Sequence, residues 1–151
     1  MADPLLHYTE YESRLGAYAV VVDDQDRVLL ALWNEADQPL WSLPGGGVEL
    51  PETVEEGAIR ELREESGYDV ELGRVLGVST IVIPPAERTR DSDAWFRGIR
   101  VVFEARVVGG ELRREVGGST DEARWFPLAE VPDLPRVELV DIGLAMYYDA
   151  R

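Results

Sequence analysis

Residues 45–68 read GGGVELPETVEEGAIRELREESGY, and this stretch decides how the rest of the chain is read. Three glycines, Gly45 to Gly47, lead into a segment with helix signals at both ends. Thr53 followed by Glu56 has the form of a capping box, and Gly67 suits the residue just past a helix C-terminus. The pattern predicts a helix from about Thr53 to Ser66. Val54, Ala58 and Leu62 recur at every fourth position and give it an apolar face for packing on a sheet. Glu61, Glu64 and Glu65 share another face. Like charges at such spacings repel on a helix, so the cluster calls for a cation, and a hard ion such as Mg²⁺ takes carboxylate oxygens. Arg60 stands one turn before Glu64 and can hold a carboxylate in place. Glu52, at the loop–helix junction, suits the positive end of the helix dipole. A glycine loop beside a metal-loaded helix points to chemistry on phosphates.

Composition narrows the rest. A chain of 151 residues, 45% of them hydrophobic, is read as one domain over residues 1–151, with residues 1–14 a polar lead-in. No apolar run reaches the ~18 residues of a membrane span. Met1-Ala2-Asp3-Pro4 lacks the basic and apolar regions of a signal peptide, so a cytoplasmic location is expected. Cysteine is absent, which removes disulfides, thiolate nucleophiles and Cys-ligated zinc. Lysine is absent too, since all fifteen Lys+Arg residues are arginine, so Schiff-base chemistry and a P-loop lysine are excluded. His7 is the one histidine and lies near the N-terminus, a poor base for a Ser-His-Asp triad. Carboxylate, metal and arginine remain. The net charge of −15 argues against nucleic-acid and anionic-membrane partners. It also makes divalent cations necessary for holding a polyphosphate.

Elements follow from local pattern. Gly16–Val22 is read as a strand rich in β-branched residues, Asp23–Asp26 as a turn, and Arg27–Trp33 as a returning strand. Trp41-Ser42-Leu43 is a short strand entering the glycine loop. Tyr68–Ile83 gives one or two strands, Pro84–Asp93 a charged loop, and Ile99–Val108 another strand, with Gly109-Gly110 as a turn. A short strand at Ala123–Phe126 and a terminal helix at Val137–Tyr148 complete one mixed α/β domain.

Gly46, Glu52, Arg60, Glu61, Leu62, Glu64, Glu65 and Gly67 match the Nudix box, G-x5-E-x7-R-E-U-x-E-E-x-G-U, in which U is a bulky apolar residue. Seven fixed positions of roughly 6–7% background frequency coincide by chance at about 10⁻⁸ per start. The chain thus resembles the Nudix hydrolases, with two mild departures: Tyr68 stands at the last U, and Pro51 stands where glycine is common. The resemblance implies an α/β/α fold, a mixed sheet between helices. It implies hydrolysis of a nucleoside diphosphate linked to another moiety, by water attack at phosphorus. Glu61, Glu64 and Glu65 would hold Mg²⁺ (or Mn²⁺) with the Gly46 carbonyl, and Arg60 and Glu52 would orient them. Glu61 and Glu64 are candidate catalytic groups. Glu122 is the candidate for a base from a later loop, with Glu115 second to it.

For substrate, Trp95, Phe96 and Arg97 are candidates, the rings for stacking on a base and Arg97 for phosphate, as for Arg88, Arg90 and Arg100. Packed aromatics and solvated arginines would read the same way. Pro84-Pro85 stand where ADP-ribose-cleaving members often carry a proline. ADP-ribose or a nucleotide sugar is the favoured substrate class. A nucleoside triphosphate pyrophosphohydrolase that removes oxidised nucleotides is the second reading, and a catalytically silent ligand sensor the third. The isomerase branch of the fold is disfavoured because its catalytic cysteine is missing. Many relatives are homodimers, and the sequence leaves that open.

Overall fold

Two sheets, two α-helices and two short 3₁₀ helices make up the described residues in a computed structural model, which describes residues 3–90, 92–115, 117–118, 120 and 122–151, and the backbone of Asp121. The order is β1 (Tyr11–Val21), β2 (Arg27–Trp33), β3 (Leu40–Ser42), β4 (Gly45–Gly47), α1 (Val54–Ser66), β5 (Tyr68–Ile83), β6 (Trp95–Gly110), β7 (Thr120–Pro127) and α2 (Glu138–Asp149). The first sheet runs β4-β1-β6-β5 and the second β3-β2-β7. In the first, β1 and β6 are parallel and the outer pairs antiparallel; the second is wholly antiparallel.

The α/β arrangement expected from the sequence is present, but the sheet is split. Among the described residues, a single bridge just past β1, between Val22 and Val28, links it to β2, and β2 then pairs with β7 instead. The turn between them is tied by Asp23, whose carboxylate accepts from the Gln25 and Arg27 backbone N–H groups at 3.0 and 2.9 Å. The glycine stretch expected as a loop is itself a strand: Gly45 to Gly47 pair with Tyr18 to Gly16. Residues without side chains carry no alternation, so this pairing left no pattern to read. β1 also starts at Tyr11, inside the supposed lead-in, because Tyr11–Arg14 pair with Trp95–Gly98 of β6.

β1 sorts its side chains by parity. Ala17, Ala19 and Val21 face α1, where they meet Ala58, Leu62 and, from β6, Phe103 and Ala105. Val20 faces the other way into the core beneath α2, with Leu43, Val102, Leu139, Val140 and Leu144. Tyr18, Gly16 and Arg14 continue that second face beyond the end of α2. The sheet is therefore covered at one end and open at the other. β4 is only three residues long and forms the sheet edge, so side chains of α1 can reach around it to the open end.

Candidate active site

α1 forms as its signals predict. The Glu56 backbone N–H donates to Thr53 Oγ1 at 3.1 Å and the Thr53 N–H to Glu56 Oε1 at 3.3 Å. Gly67 closes the helix at φ 83°, a left-handed conformation that suits glycine. Arg60 organises the carboxylates around it. It donates to Glu52 through Nε (2.6 Å) and Nη2 (2.9 Å), to Glu61 and Glu64 through Nη1 (3.0 and 3.2 Å), and to the Gly47 carbonyl through Nη2 (3.0 Å). This bidentate hold brings the Glu52 carboxyl down to about 2 from an ordinary 4.5.

Glu65 is buried, with 3% of its surface exposed. Its Oε2 accepts from the Gly45 N–H at 3.1 Å. Burial pushes its carboxyl well above the usual range, and the charges of Glu61, Glu115 and Glu64 add to the push. Burial likewise raises Glu61, against the pull of Arg60. Glu61 also crowds Gly46: a Cβ there would lie 2.8 Å from its carboxyl carbon.

Glu61, Glu65 and Gly45 to Gly47 form one wall of a cleft. Its floor is the open end of the sheet, carrying Arg14 and Tyr18 of β1, Phe96, Gly98 and Arg100 of β6, and Ile81 and Ile83 of β5. Trp33, Glu35 and Thr120 border it from the second sheet and its loops.

The remaining sequence candidates divide. Of the substrate trio, Phe96 borders this cleft. Trp95 and Arg97 line another depression, which Phe96 also borders, beside the N-terminal segment and Tyr11, and the Arg97 guanidinium lies 5.1 Å from the Tyr11 ring centroid. Strand alternation explains the split. The Arg88 side chain is 3% exposed and holds Glu12 (2.9 Å), Ser92 Oγ (2.9 Å) and the Ala94 carbonyl (3.0 Å), which is a loop-fastening role. Glu122 is bound to Arg124 at 3.1 Å and borders a depression with Leu32 and Leu112, not the cleft. Glu115, the second-choice late acid, is the one whose charge bears on Glu61 and Glu65, and Thr120 Oγ1 donates to it at 2.5 Å. A loop position carries no periodicity, so spacing could not rank these two acids. Arg14 was missed altogether, since nothing local distinguishes it from a solvated arginine.

Among the described residues, no three acidic or histidine side chains stand close enough together to cage a metal ion; Arg60 Nη1 is bonded to both Glu61 and Glu64. The donors nevertheless fit a hard cation. They are all oxygen, Glu65 is a buried acid whose ionised form calls for a positive charge, and Gly46 leaves open the space beside the Glu61 carboxylate that any Cβ would fill.

Acid on one wall and guanidinium on the floor suit a phosphoric anhydride bound together with a divalent cation. The NUDIX domain model matches residues 12–144, and the chain belongs to the Nudix family of hydrolases. It is similar to a Bacillus subtilis (strain 168) protein provisionally named 8-oxo-dGTP diphosphatase, at 32% identity over 126 residues, covering 80% of this chain and 74% of that one. It is similar also to the ADP-ribose pyrophosphatase of Methanocaldococcus jannaschii, at 34% identity over 115 residues, covering 76% of this chain. The chain spans 62% of the length of that archaeal protein, less than two thirds. Among solved structures, the MutT Nudix hydrolase of Burkholderia pseudomallei superposes with a TM-score of 0.71 at 29% identity, covering 89% of this chain and 98% of that chain.

Proposed function

We propose that this Nudix hydrolase is a Mg²⁺-dependent pyrophosphohydrolase of a nucleoside diphosphate joined to a second moiety, with ADP-ribose or a nucleotide sugar as the substrate class. The observation that carries the reading is the cleft itself, with an acid wall at Glu61 and Glu65 facing cations at Arg14 and Arg100. Glu61, Glu64, Glu65 and the Gly46 carbonyl would hold the metal. The ion, when bound, neutralises charge on the diphosphate oxygens and lowers the pKa of a water molecule.

The chain's own groups do the rest. Arg60 fixes the direction of Glu61 and Glu64, and Glu52 anchors Arg60 in turn. Glu115, steadied by Thr120, is the acid we assign to take the proton of the attacking water, in place of Glu122. Phe96 and Trp33 offer apolar walls to a base.

The name of the Bacillus relative favours a second reading, removal of pyrophosphate from an oxidised nucleoside triphosphate. Product release from ADP-ribose, a nucleotide sugar, dGTP and 8-oxo-dGTP, with Mg²⁺ and with chelator, separates the two. We expect metal-dependent cleavage of a diphosphate-linked compound well above the triphosphates, and loss of at least about 100-fold in kcat for Glu64→Gln with folding retained. Preference for 8-oxo-dGTP would move the assignment to the second reading. Turnover unchanged in Glu64→Gln would remove that residue from the metal set.

A further inference from the structure

The box residues account for one wall of the cleft, while the floor opposite carries two arginines that box chemistry does not use. Arginines elsewhere in this acidic chain, such as Arg63, Arg74, Arg106 and Arg136, lie against carboxylates. Arg14 has no hydrogen bond or ion pair with any described residue. Its guanidinium lies flat over Gly47, where a Cβ would sit 2.3 Å from Nη2. Glycine at 47 is thus what lets this cation rest beside the acid wall.

Arg100 donates from Nη2 to Ser79 Oγ at 2.8 Å, while its Nε is buried with no partner among the described residues. The strand register puts the two on one face of the sheet, with the Arg14 guanidinium turned toward β4 and that of Arg100 toward β5. Gly16 is the neighbour of Arg100 across β1 and β6, and Arg14 neighbours Gly98. Arg14 and Arg100 therefore sit diagonally on one face, with side-chain roots about 7–8 Å apart. Gly16 and Gly98 occupy the other two corners, where the Tyr18 ring lies over Gly16 and the Ile81 side chain over Gly98. Glu12, on the same face of β1, is engaged by Arg88 and leaves Arg14 unneutralised.

On the strength of the activity proposed above, we propose that Arg14 and Arg100 form an anion seat for the substrate phosphate that the acid wall does not hold. The two guanidinia supply several N–H groups in fixed forks, a match to phosphate oxygens that Coulomb attraction alone does not give. In a chain of net charge −15, the seat offsets the repulsion a diphosphate meets on approach. It acts on binding, so its loss raises KM more than it lowers kcat.

The test compares Arg14→Gln, Arg100→Gln and, as a surface control, Arg106→Gln. Steady-state kinetics on ADP-ribose with Mg²⁺ are combined with calorimetric binding of inorganic pyrophosphate at the same Mg²⁺ concentration. Each cleft variant should raise KM about 10-fold or more, keep kcat within about 3-fold, and weaken pyrophosphate binding in parallel. Arg106→Gln should match the parent protein. A folded Arg14→Gln with KM and pyrophosphate affinity within about twofold of the parent overturns the seat. Because Arg14 is exposed, this variant carries the test if Arg100→Gln fails to fold. Should the parent protein cleave no diphosphate compound, the proposed activity falls, and the seat is judged on pyrophosphate alone: weakened binding in Arg14→Gln supports it and unchanged binding overturns it.

Discussion

Adjacent glycines in β4 do different jobs. Gly45 has φ 146°, and a Cβ there would lie 2.2 Å from the Ala17 carbonyl oxygen, a backbone atom that cannot move alone. Gly46 would instead meet the end of the Glu61 side chain at 2.8 Å. Gly45→Ala should therefore destabilise the fold by about 3 kcal/mol, seen as a lower urea midpoint. Gly46→Ala should keep its midpoint nearly unchanged and lose activity about 10-fold or more, because Glu61 must turn away. Equal losses of stability in the two variants would show that Gly46 serves the backbone rather than the carboxylate. At this scale the sequence marked both positions only as glycine; the reason for each is a neighbour from another part of the chain.

At the scale of the element, α1 is joined to the strand before it through Arg60. The helix caps are local and would form wherever the segment was placed. The Glu52–Arg60–Gly47 contacts fix the helix relative to β4. Arg60 holds the Glu52 carboxyl near 2 in the folded chain, against about 4.5 when unfolded. The folded state then binds fewer protons between those values. The contribution of the pair is full above about pH 4.5 and is lost as pH falls through about 2. Glu52→Gln should thus lower the melting temperature at pH 7, and the gap from the parent protein should close progressively between about pH 4.5 and 2.5. A gap that stays constant across that range would mean that geometry, not charge, makes the contact.

The whole molecule is built around an unequal covering of its sheets. α2 covers one end of the face that Val20 and Val102 share, and the uncovered end is the cleft. Glu65 sits where α1, β4 and the cleft meet, buried with an acid held well above its usual range. In its ionised form it weakens the fold at neutral pH, and a bound cation removes that cost. Millimolar Mg²⁺ should raise the melting temperature by about 2–6 °C. Glu65→Gln should be more stable than the parent protein in chelator and should lose most of the Mg²⁺ shift. A variant less stable in chelator would show that the carboxylate is matched by the fold without metal.

The family, the box helix with its caps, and the cleft acids Glu61 and Glu65 were legible in the chain alone. Each rests on residues within a few turns of one another, where side-chain chemistry and helical spacing are readable without a partner. Tertiary structure decided the rest. It made a strand of Gly45–Gly47, because pairing with β1 leaves no trace in residues without side chains. It set Glu122 beside Leu32 and Leu112 and the charge of Glu115 near Glu61 and Glu65, since a loop acid is defined by what it faces. It put Phe96 on the cleft face and Trp95 and Arg97 on the other by strand parity, and it set Arg14 and Arg100 on the cleft face across β1 and β6. Contacts made by residues distant in sequence depend on register and on which face is left uncovered, and those are properties of the assembled sheets.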